Sequence, residues 1–261
     1  MGNGSDMNET GNASRLCDRA VIRLSGAEGG GGEDVAAFLQ GLVTNDVTGI
    51  LPVWSALLSP QGKALFDFFV WPAQDAMLID CEAAHADELV RKLSLYRLRR
   101  PIQIAVDPSV AVHWHGHRGD GGSDDPRLAA IGQRWLAAVV PSDEADCADA
   151  AYRAHRLELG VPEGREELGF DKLLWLECNA VELHGVSFKK GCFIGQENTA
   201  RMNWRQKVNR RLAVVPLSKS DPARQQVAYP DLDVAVDHLR IADADPSLFP
   251  AWLGPVGQPQ D

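Results

Sequence analysis

Residues 189–211 place a cysteine among glycines, lysines and arginines, residue types that suit chemistry on an anionic ligand. The segment reads KKGCFIGQENTARMNWRQKVNRR and holds seven Lys or Arg residues and one acid, Glu197. Its local charge is therefore +6, whereas the whole chain of 261 residues carries −10 and the remainder −16. Charge separated in this way is typical of a surface that binds an anionic partner. The alternative is a solvated helix face that happens to be basic.

Cys192 is the residue of this segment best suited to react. Two lysines precede it, Gly191 allows close backbone approach, and Gly195 predicts a tight turn that opens a helix at Gln196. A thiol near a helix N-terminus and two ammonium groups is expected to have a lowered pKa. Such a thiol suits a nucleophile, a redox-sensitive group or a ligand to iron, and the residues leave these roles open. Trp204 offers a stacking surface for a flat heterocycle or base.

The run His113-Trp114-His115-Gly116-His117 is a second candidate site. On a strand the three histidines would share one face, which is a workable arrangement for a metal ion. The alternative is that they mark the solvent face of a strand that leads into a loop. No acidic residue or cysteine lies close in sequence to complete a tetrahedral set, so we assign no metal-binding residues.

Composition places the chain among ordinary soluble globular proteins, with 45% hydrophobic and 24% charged residues. No apolar run approaches the roughly 20 residues that span a bilayer, and the polar N-terminus does not resemble a secretory signal. The cysteines are odd in number and scattered, without a C-x-x-C motif, which argues against a disulfide framework or a thiolate zinc site. We therefore expect a cytoplasmic protein in a reducing setting, without membrane contact. The cysteines are Cys17, Cys81, Cys147, Cys178 and Cys192.

Strand pairs joined by tight turns alternate with helices along the chain, which favours an α+β fold with antiparallel sheets. The clearest hairpin is residues 54–71, where Pro and Gly lie in a four-residue turn. Further strands are predicted at 20–26, 76–81, 101–107, 110–117, 134–140, 211–217 and 234–241, and helices from 34, over 85–98 and over 145–160. We expect a disordered tail over 1–17, a main body over 18–210 and a short C-terminal β unit over 211–261.

The segment KGCFIGQE at 190–197 resembles the K-G-C-[YF]-x-G-Q-E signature of the YgfZ/GcvT-related folate-binding family. The branch of the family that this chain resembles includes bacterial YgfZ and the mitochondrial iron–sulfur cluster assembly factor. Other blocks resemble the family in its order, so the resemblance covers most of the chain. They are FLQGLVTNDV (38–47), SALLSPQGKALFDFFV (55–70), LYRLRRPIQI (95–104), DPRLAAIG (125–132), GVPEG (160–164), ELHGVSFKKGCFIGQE (182–197), ARM (200–202) and RRL (210–212).

The resemblance implies a fold related to the T-protein of the glycine cleavage system. That fold has antiparallel ferredoxin-like subdomains around a central folate pocket, here with a short C-terminal β unit. The resemblance also implies tetrahydrofolate as a cofactor and a role in assembling or repairing 4Fe–4S proteins, including radical enzymes that modify tRNA. The expected partners are folate and these iron–sulfur client enzymes, with a contact to tRNA as a further expectation.

Site residues follow from the resemblance position by position. Cys192 and Lys190 are the expected catalytic residues, with Cys192 as the functional thiol. Arg201 and Arg205 suit the carboxylates of a folate glutamate tail, because a guanidinium binds a carboxylate in a bidentate manner. The residues expected to bind folate are Asn45, Asp46, Asp67, Glu177, Asn179, Gln196, Glu197, Arg201 and Arg205.

One departure from the family bears on the reaction. Aminomethyltransferases typically carry paired aspartates in the strand where this chain has Phe66-Asp67, so one carboxylate is missing. This favours an assembly factor over a folate-dependent aminomethyltransferase, and whether the protein is an enzyme is left open. A third hypothesis is a non-catalytic module that uses the basic segment to hold tRNA or an acidic client.

Overall fold

The structure is a computed structural model that describes residues 14–27, 34–117, 119, 121–140, 146–205 and 208–254. Within these ranges the chain forms strands β1–β11 and α-helices α1–α5. The strands are Arg19–Gly26, Val53–Leu58, Ala64–Ala73, Ala76–Glu82, Ile102–Val106, Val110–His115, Ser123–Asp124, Gln133–Ala138, Arg210–Pro216, Gln225–Tyr229 and Val234–Arg240. The α-helices are Val35–Gln40, Ala86–Arg97, Asp149–Glu158, Gly164–Leu168 and Gln196–Arg205.

The central sheet has five strands in the order β2-β3-β4-β1-β5, and each strand pairs antiparallel with the strand next to it. Successive side chains of a strand point to opposite faces. In β3, Phe66, Phe68 and Val70 pack in the core that holds α1 and α2. Phe69 and Trp71 pack in the larger core on the other face. The predicted α+β fold with antiparallel sheets is confirmed.

The hairpin predicted over residues 54–71 is present as β2 and β3. Its turn is closed by the N–H of Gly62, which donates to the carbonyl of Ser59, and by the N–H of Ser59, which donates to the carbonyl of Lys63, both at 2.9 Å. Gly62 has a φ of +81°, a conformation that glycine adopts without a steric penalty. Pro60 and Gly62 therefore lie in the turn that their sequence positions predicted.

The predicted helices are also present. The side chain of Asp34 caps α1 by accepting the N–H of Ala37 at 2.8 Å. Helix α2 buries Leu89 and Leu93, which share one face at helical spacing. After α3 the chain turns at Gly160, whose φ is +75°. None of the described helices is long and apolar enough to cross a membrane.

The N-terminal segment joins the fold earlier than predicted. Leu16 is only 1% exposed, and its N–H donates to the carbonyl of Val112 in β6 at 2.8 Å. The prediction that residues 1–17 form a disordered tail is therefore wrong for residues 14–17, because an apolar side chain anchors them against a second sheet. Residues 1–13 lie outside the described residues. The second sheet has three strands in the order β6-β8-β7.

One disulfide joins this segment to the start of α3. Cys17 and Cys147 are bonded, with their Cα atoms 5.7 Å apart and a sequence separation of 130. The argument against disulfides is wrong for this pair. The contact arises because Leu16 and its neighbours lie beside the residues that precede α3, a tertiary contact that cysteine count and spacing do not encode.

A third sheet, in the order β10-β11-β9, forms the C-terminal unit. Strands β9 and β11 were predicted, whereas β10 was not. Leu212 and Val236 face the main core, and Ala213 and Leu239 form a small core on the other face. The division of the chain at residue 210 stays a prediction.

Buried charged side chains fill the space between the central sheet and the second sheet. Asp80 accepts from Arg19 and from Arg134, each at 2.6 Å. Arg127 pairs with Glu163 at 2.6 Å and with Asp125 at 2.8 Å. We call this group the ionic cluster: Arg19, Asp80, Asp125, Arg127, Arg134, Tyr152 and Glu163.

Candidate functional site

Gly195 brings α5 against the β2–β3 turn. Its φ is +81°, and a Cβ at this position would lie 2.6 Å from the carbonyl oxygen of Ser59 and 2.9 Å from the Cα of Gly62. The side chain of Asn198 donates to the carbonyl of Gln61 at 2.8 Å. The predicted turn before Gln196 is confirmed, and this contact fixes the end of the loop formed by residues 190–195, which we call the signature loop.

Cys192 lies on the open side of the signature loop and is exposed. Beside it, Gly191 has a φ of +97°, and a Cβ there would meet nothing within 4 Å. All five cysteines are among the described residues: two form the disulfide, and Cys81 and Cys178 are buried. Burial raises the pKa of Cys81 to about 12 and raises that of Cys178 as well. Cys192 is therefore the free thiol that a partner can reach.

Lys190 is the first residue of the signature loop, and its side chain reaches the end of α1. Its ammonium donates to the backbone carbonyl of Gln40 and lies 5.0 Å from the centre of the Phe193 ring. Partial burial lowers the pKa of Lys190 to about 8, although the negative charges of Asp46 and Cys192 act in the opposite direction. The sequence-predicted residues Lys190, Asp46 and Cys192 therefore lie near one another.

Asp46 supplies the carboxylate of this group. Its Oδ1 accepts from the hydroxyl of Thr48 at 2.7 Å, from the N–H of Thr48 at 2.9 Å and from the amide of Gln40 at 3.0 Å. These bonds from Thr48 lower the pKa of Asp46, and the charge of Lys190 lowers it further. Asp46 is thus a fixed anion on a partly exposed surface.

Asn45 holds the loop that carries Asp46. Its amide donates to the carbonyl of Trp54 at 2.9 Å and to the carbonyl of His184 at 2.6 Å, while its Oδ1 accepts the N–H of Asp46. The side chain is therefore occupied in joining β2 to the segment that leads into the signature loop. Its expected contact with folate stays a prediction.

Asp67 is placed apart from these residues, on the face of β3 towards the ionic cluster. It is 4% exposed, and the indole N–H of Trp54 donates to it at 3.2 Å. Burial raises its pKa to about 7; the negative charges of Glu82 and Glu163 also raise it, and the charge of Arg19 lowers it. The structure therefore places this carboxyl in the interior and does not bring it to the signature loop.

Glu177 and Asn179 connect the body to the C-terminal sheet. An oxygen of Glu177 lies 3.4 Å from Nε2 of His238 in β11. Asn179 is fully buried, and its amide donates to the carbonyl of Leu212 in β9 at 2.9 Å. These contacts give both residues a structural task, and a role in folate binding stays a prediction for each.

Helix α5 carries the remaining predicted residues, Gln196, Glu197, Arg201 and Arg205. Glu197 and Arg201 pair at 2.9 Å, and both side chains are largely exposed. Arg205 is also exposed, near the end of the helix. The helix buries its opposite face through Thr199 and Met202. The outer face of α5 is therefore open to a partner.

An exposed tryptophan belongs to the same outer face. Trp204 is 73% exposed and lies 6.0 Å from Phe188, measured between ring centres. In contrast, Arg211 is withdrawn from the basic surface, because both of its terminal nitrogens bond to Glu182 at 2.6 Å. The charge of +6 along the sequence is thus divided between α5 and the body. Lys207 lies outside the described residues.

His113 and His115 of β6 share a face, as predicted for a strand, and His117 follows the end of this strand. His113 stacks on Trp135 with 5.4 Å between ring centres, and His115 lies 4.8 Å from the same ring. His115 and His117 stack on each other at 5.2 Å, and burial lowers the pKa of His115. Among the described residues, the group whose ligand atoms lie close enough for a metal ion is a different one, formed by the disulfide cysteines and Asp149.

Gln40 is the site residue that the sequence analysis missed. Its amide donates to Asp46, its side-chain oxygen accepts the N–H of Val47, and its carbonyl accepts the ammonium of Lys190. It lies within the block FLQGLVTNDV, so the resemblance contained the signal. Its role depends on the backbone carbonyl at the end of α1, which residue type alone does not reveal.

Comparison with known proteins identifies the family. The chain is 32% identical over 250 residues to the mitochondrial iron–sulfur cluster assembly factor IBA57 of Mus musculus, covering 80% of this chain and 67% of that protein. It is also 32% identical to the Homo sapiens protein of the same name over 247 residues, covering 80% and 66%. This chain belongs to the IBA57/YgfZ family of iron–sulfur cluster assembly factors. It spans about two thirds of the length of these relatives. No family model matches the chain.

A solved structure extends the family relation to the fold. The chain resembles aminomethyltransferase T of the glycine cleavage system from Bartonella henselae, with a TM-score of 0.61 at 14% identity. The match covers 87% of this chain and 78% of the other. At this identity the likeness shows the fold alone, and it confirms the expected relation of this family member to the T-protein fold. The ferredoxin-like subdomains stay a prediction.

Proposed function

We propose that this protein is an accessory factor for the assembly or repair of 4Fe–4S proteins, with Cys192 as its functional thiol and tetrahydrofolate as its ligand. The observation that carries the proposal is the position of Cys192. It is the exposed free thiol of the chain, on an open loop beside Lys190, in a member of a family of iron–sulfur cluster assembly factors.

The chemistry of a thiol suits this role. A thiolate is a strong ligand for iron and binds it in iron–sulfur clusters. Lys190 is held against the carbonyl of Gln40 and lies close to Cys192, so it places a cationic side chain beside the thiol in a fixed position. We propose that Cys192 contacts the iron or sulfur of a client protein.

Folate binding is supported by the resemblance and by the residues that the signature loop brings together. The carboxylate of Asp46 suits the N–H donors of a pterin ring. Lys190, Arg201 and Arg205 suit the carboxylates of the folate glutamate tail. We do not place Asp67 in this proposed set, because its carboxyl is buried against Trp54. We propose that the bound tetrahydrofolate orders the surface around Cys192.

The outer face of α5 is the proposed contact for a client. It offers the exposed ring of Trp204, and tryptophan is among the residue types that contribute most to protein interfaces. The clients we propose include radical enzymes that modify tRNA, and a direct contact with tRNA stays a prediction. Aminomethyl transfer has less support, because the single aspartate of the Phe66-Asp67 pair lies in the interior.

The thiol role is tested in cells that lack their own copy of this factor. Wild-type protein should restore the activity of 4Fe–4S enzymes, whereas Cys192→Ser should restore none at equal protein levels. Cys81→Ala is the matched control, since it removes a buried thiol and keeps Cys192. Full restoration by Cys192→Ser would overturn the thiol role.

The folate part is checked on the same purified proteins by titration calorimetry with tetrahydrofolate. Saturable binding is expected for the wild-type protein and for Cys192→Ser, because the ligand is held by Asp46 and Lys190. If the wild-type protein shows no saturable heat, folate is not its ligand. The activity measurements in cells test the thiol role independently of folate binding.

A further inference from the structure

A group of potential metal ligands lies away from the signature loop, at the start of α3. The sulfur atoms of Cys17 and Cys147 and a carboxylate oxygen of Asp149 all lie within 4.8 Å of one another. Tetrahedral zinc sites are built from thiolate, imidazole and carboxylate ligands of this kind. In the structure the two sulfur atoms are bonded to each other, so the group is closed in its oxidised form.

The carboxylate of Asp149 is held in place by the N-terminal segment. One of its oxygens accepts the N–H of Cys17 at 2.8 Å, and the other accepts the N–H of Asp18 at 2.9 Å. Carboxylates that ligate metals are commonly oriented by hydrogen bonds of this kind, and each oxygen keeps a lone pair for a cation. The third ligand of the group is therefore already oriented.

The two cysteines are held together by contacts other than the disulfide bond. The N–H of Ala148 donates to the carbonyl of Arg15 at 2.7 Å, and the N–H of Leu16 donates to the carbonyl of Val112 at 2.8 Å. Because Leu16 is buried, these contacts anchor the backbone directly before Cys17 and directly after Cys147. Breaking the sulfur–sulfur bond leaves the two thiols close to Asp149.

The group is also accessible from solvent. Cys147 is exposed and Cys17 is half-buried, so a small reductant and a hydrated ion can both reach the sulfur atoms. Of the three free cysteines, Cys81 and Cys178 are buried and do not compete for the ion. Cys192 is the one other exposed thiol of the chain, and it is not part of this group.

We propose that Cys17, Cys147 and Asp149 form a binding site for a thiophilic divalent cation such as Zn²⁺ when the disulfide is reduced. A dithiol supplies the two electrons and two protons that convert the disulfide into two thiols, and it becomes a disulfide itself. Each thiol then loses its proton as it bonds to the metal. Water takes the fourth position, as in zinc sites with three protein ligands.

The site is tested by cobalt, whose complexes with thiolates absorb in the near ultraviolet. Full-length protein is reduced with dithiothreitol, desalted without oxygen and titrated with Co²⁺. We expect one Co²⁺ per chain, with charge-transfer bands that Zn²⁺ abolishes by displacing it. The same protein left oxidised should show no such bands, and this comparison needs no substitution.

Substitutions then assign the ligands. Cys17→Ser and Cys147→Ser should each abolish the charge-transfer bands, and Asp149→Asn should weaken Co²⁺ binding about tenfold or more. Cys192→Ser is the matched control, because it removes the other exposed thiol, and it should bind Co²⁺ as the wild-type protein does. The proposal is overturned if reduced wild-type protein shows no bands. It is equally overturned if the bands persist in Cys17→Ser and disappear in Cys192→Ser.

Discussion

The ionic cluster and the signature loop both concentrate charged residues, but they differ in what those charges contact. In the ionic cluster, Arg127 is fully buried and bonds to two carboxylates. At the signature loop, Lys190 is partly exposed and bonds to a backbone carbonyl, which leaves its charge uncompensated by direct contact. Charges that neutralise one another in the interior hold the fold together, whereas charges left open at the surface are free to bind a ligand.

Asp67 shows why this difference matters for reading a family resemblance. Its position in the family suggests a ligand-binding carboxylate, yet here it lies with the buried charges near Arg19 and Glu163. Asp46 is the carboxylate that faces the open side, close to Lys190. The identity of a residue at a family position therefore does not decide whether its charge is available to a ligand. Burial decides that.

The largest effect is expected from removing a cation of the ionic cluster. Arg127→Met would leave Asp125 in the interior without its cation and Glu163 with Arg19 as its remaining cation. Breaking a buried ion pair in this way costs about 3–5 kcal/mol. The arginine also lies 4.7 Å from the ring centre of Phe69, a contact that methionine replaces only in part. Urea unfolding followed by circular dichroism measures the loss.

The matched control for Arg127→Met is an arginine of the open region. Arg201 pairs with Glu197 on the exposed face of α5, and exposed pairs contribute below about 1 kcal/mol. Arg201→Met should therefore leave the free energy of unfolding almost unchanged. Equal losses for the two variants would contradict the distinction between buried and open charges.

The sequence was most informative where local pattern decides structure. The turn at residues 59–62 and helix α2 were predicted because proline, glycine and helical spacing act within a few residues. The start of α5 at Gln196 was predicted because Gly195 marks the turn. These features give the frame of the site, including the loop that presents Cys192.

The parts that escaped prediction depend on distant partners. Cys17 meets Cys147 across 130 residues, and the interior position of Asp67 depends on charges contributed by Arg19, Glu82 and Glu163. Neither relation leaves a periodic trace in the sequence, because each arises when separate elements pack together. The resemblance named Asp46, Lys190 and Cys192, but their proximity became visible only in the folded chain.

The two glycines of the signature loop should differ in how much stability is lost when a Cβ is added. Gly195→Ala places a Cβ 2.6 Å from the carbonyl oxygen of Ser59 and 2.9 Å from the Cα of Gly62, and these backbone atoms cannot rotate away. The backbone at this position also has a positive φ. We expect a loss of about 2–3 kcal/mol in the free energy of unfolding, from strain and from displacement of α5. Urea unfolding again measures it.

Gly191→Ala serves as the control for Gly195→Ala. Gly191 also has a positive φ, but an added Cβ meets nothing within 4 Å, so only backbone strain of about 1 kcal/mol remains. If both variants lost the same stability, the contact between Gly195 and the β2–β3 turn would not be what fixes the signature loop.

The smallest effect is expected from the pH dependence of Asp67. The pKa of Asp67 is about 7 in the folded protein, whereas the ordinary value for an aspartate, which applies to the unfolded chain, is 3.8. Between pH 3.8 and pH 7 the folded state therefore holds a proton that the unfolded state has released. Stability therefore falls as pH rises through this window, by at most about 1.4 kcal/mol per pH unit. Asp67→Asn cannot ionise and keeps an oxygen for the N–H of Trp54. The variant should be more stable than wild type at pH 8, by about 1–2 kcal/mol, and the difference should shrink towards pH 5.

Asp46→Asn supplies the opposite sign for comparison. Hydrogen bonds from Thr48 lower the pKa of Asp46, so its contribution to stability is present above the unfolded value and is lost as pH falls. Its amide variant should be less stable than wild type at pH 8. The measurement is the free energy of unfolding of wild type, Asp67→Asn and Asp46→Asn at pH 5 and pH 8. If Asp67→Asn and Asp46→Asn shifted stability in the same direction at pH 8, the buried and open carboxylates would not differ as described, since only a carboxyl whose charged form is disfavoured in the folded state gains from the loss of its charge.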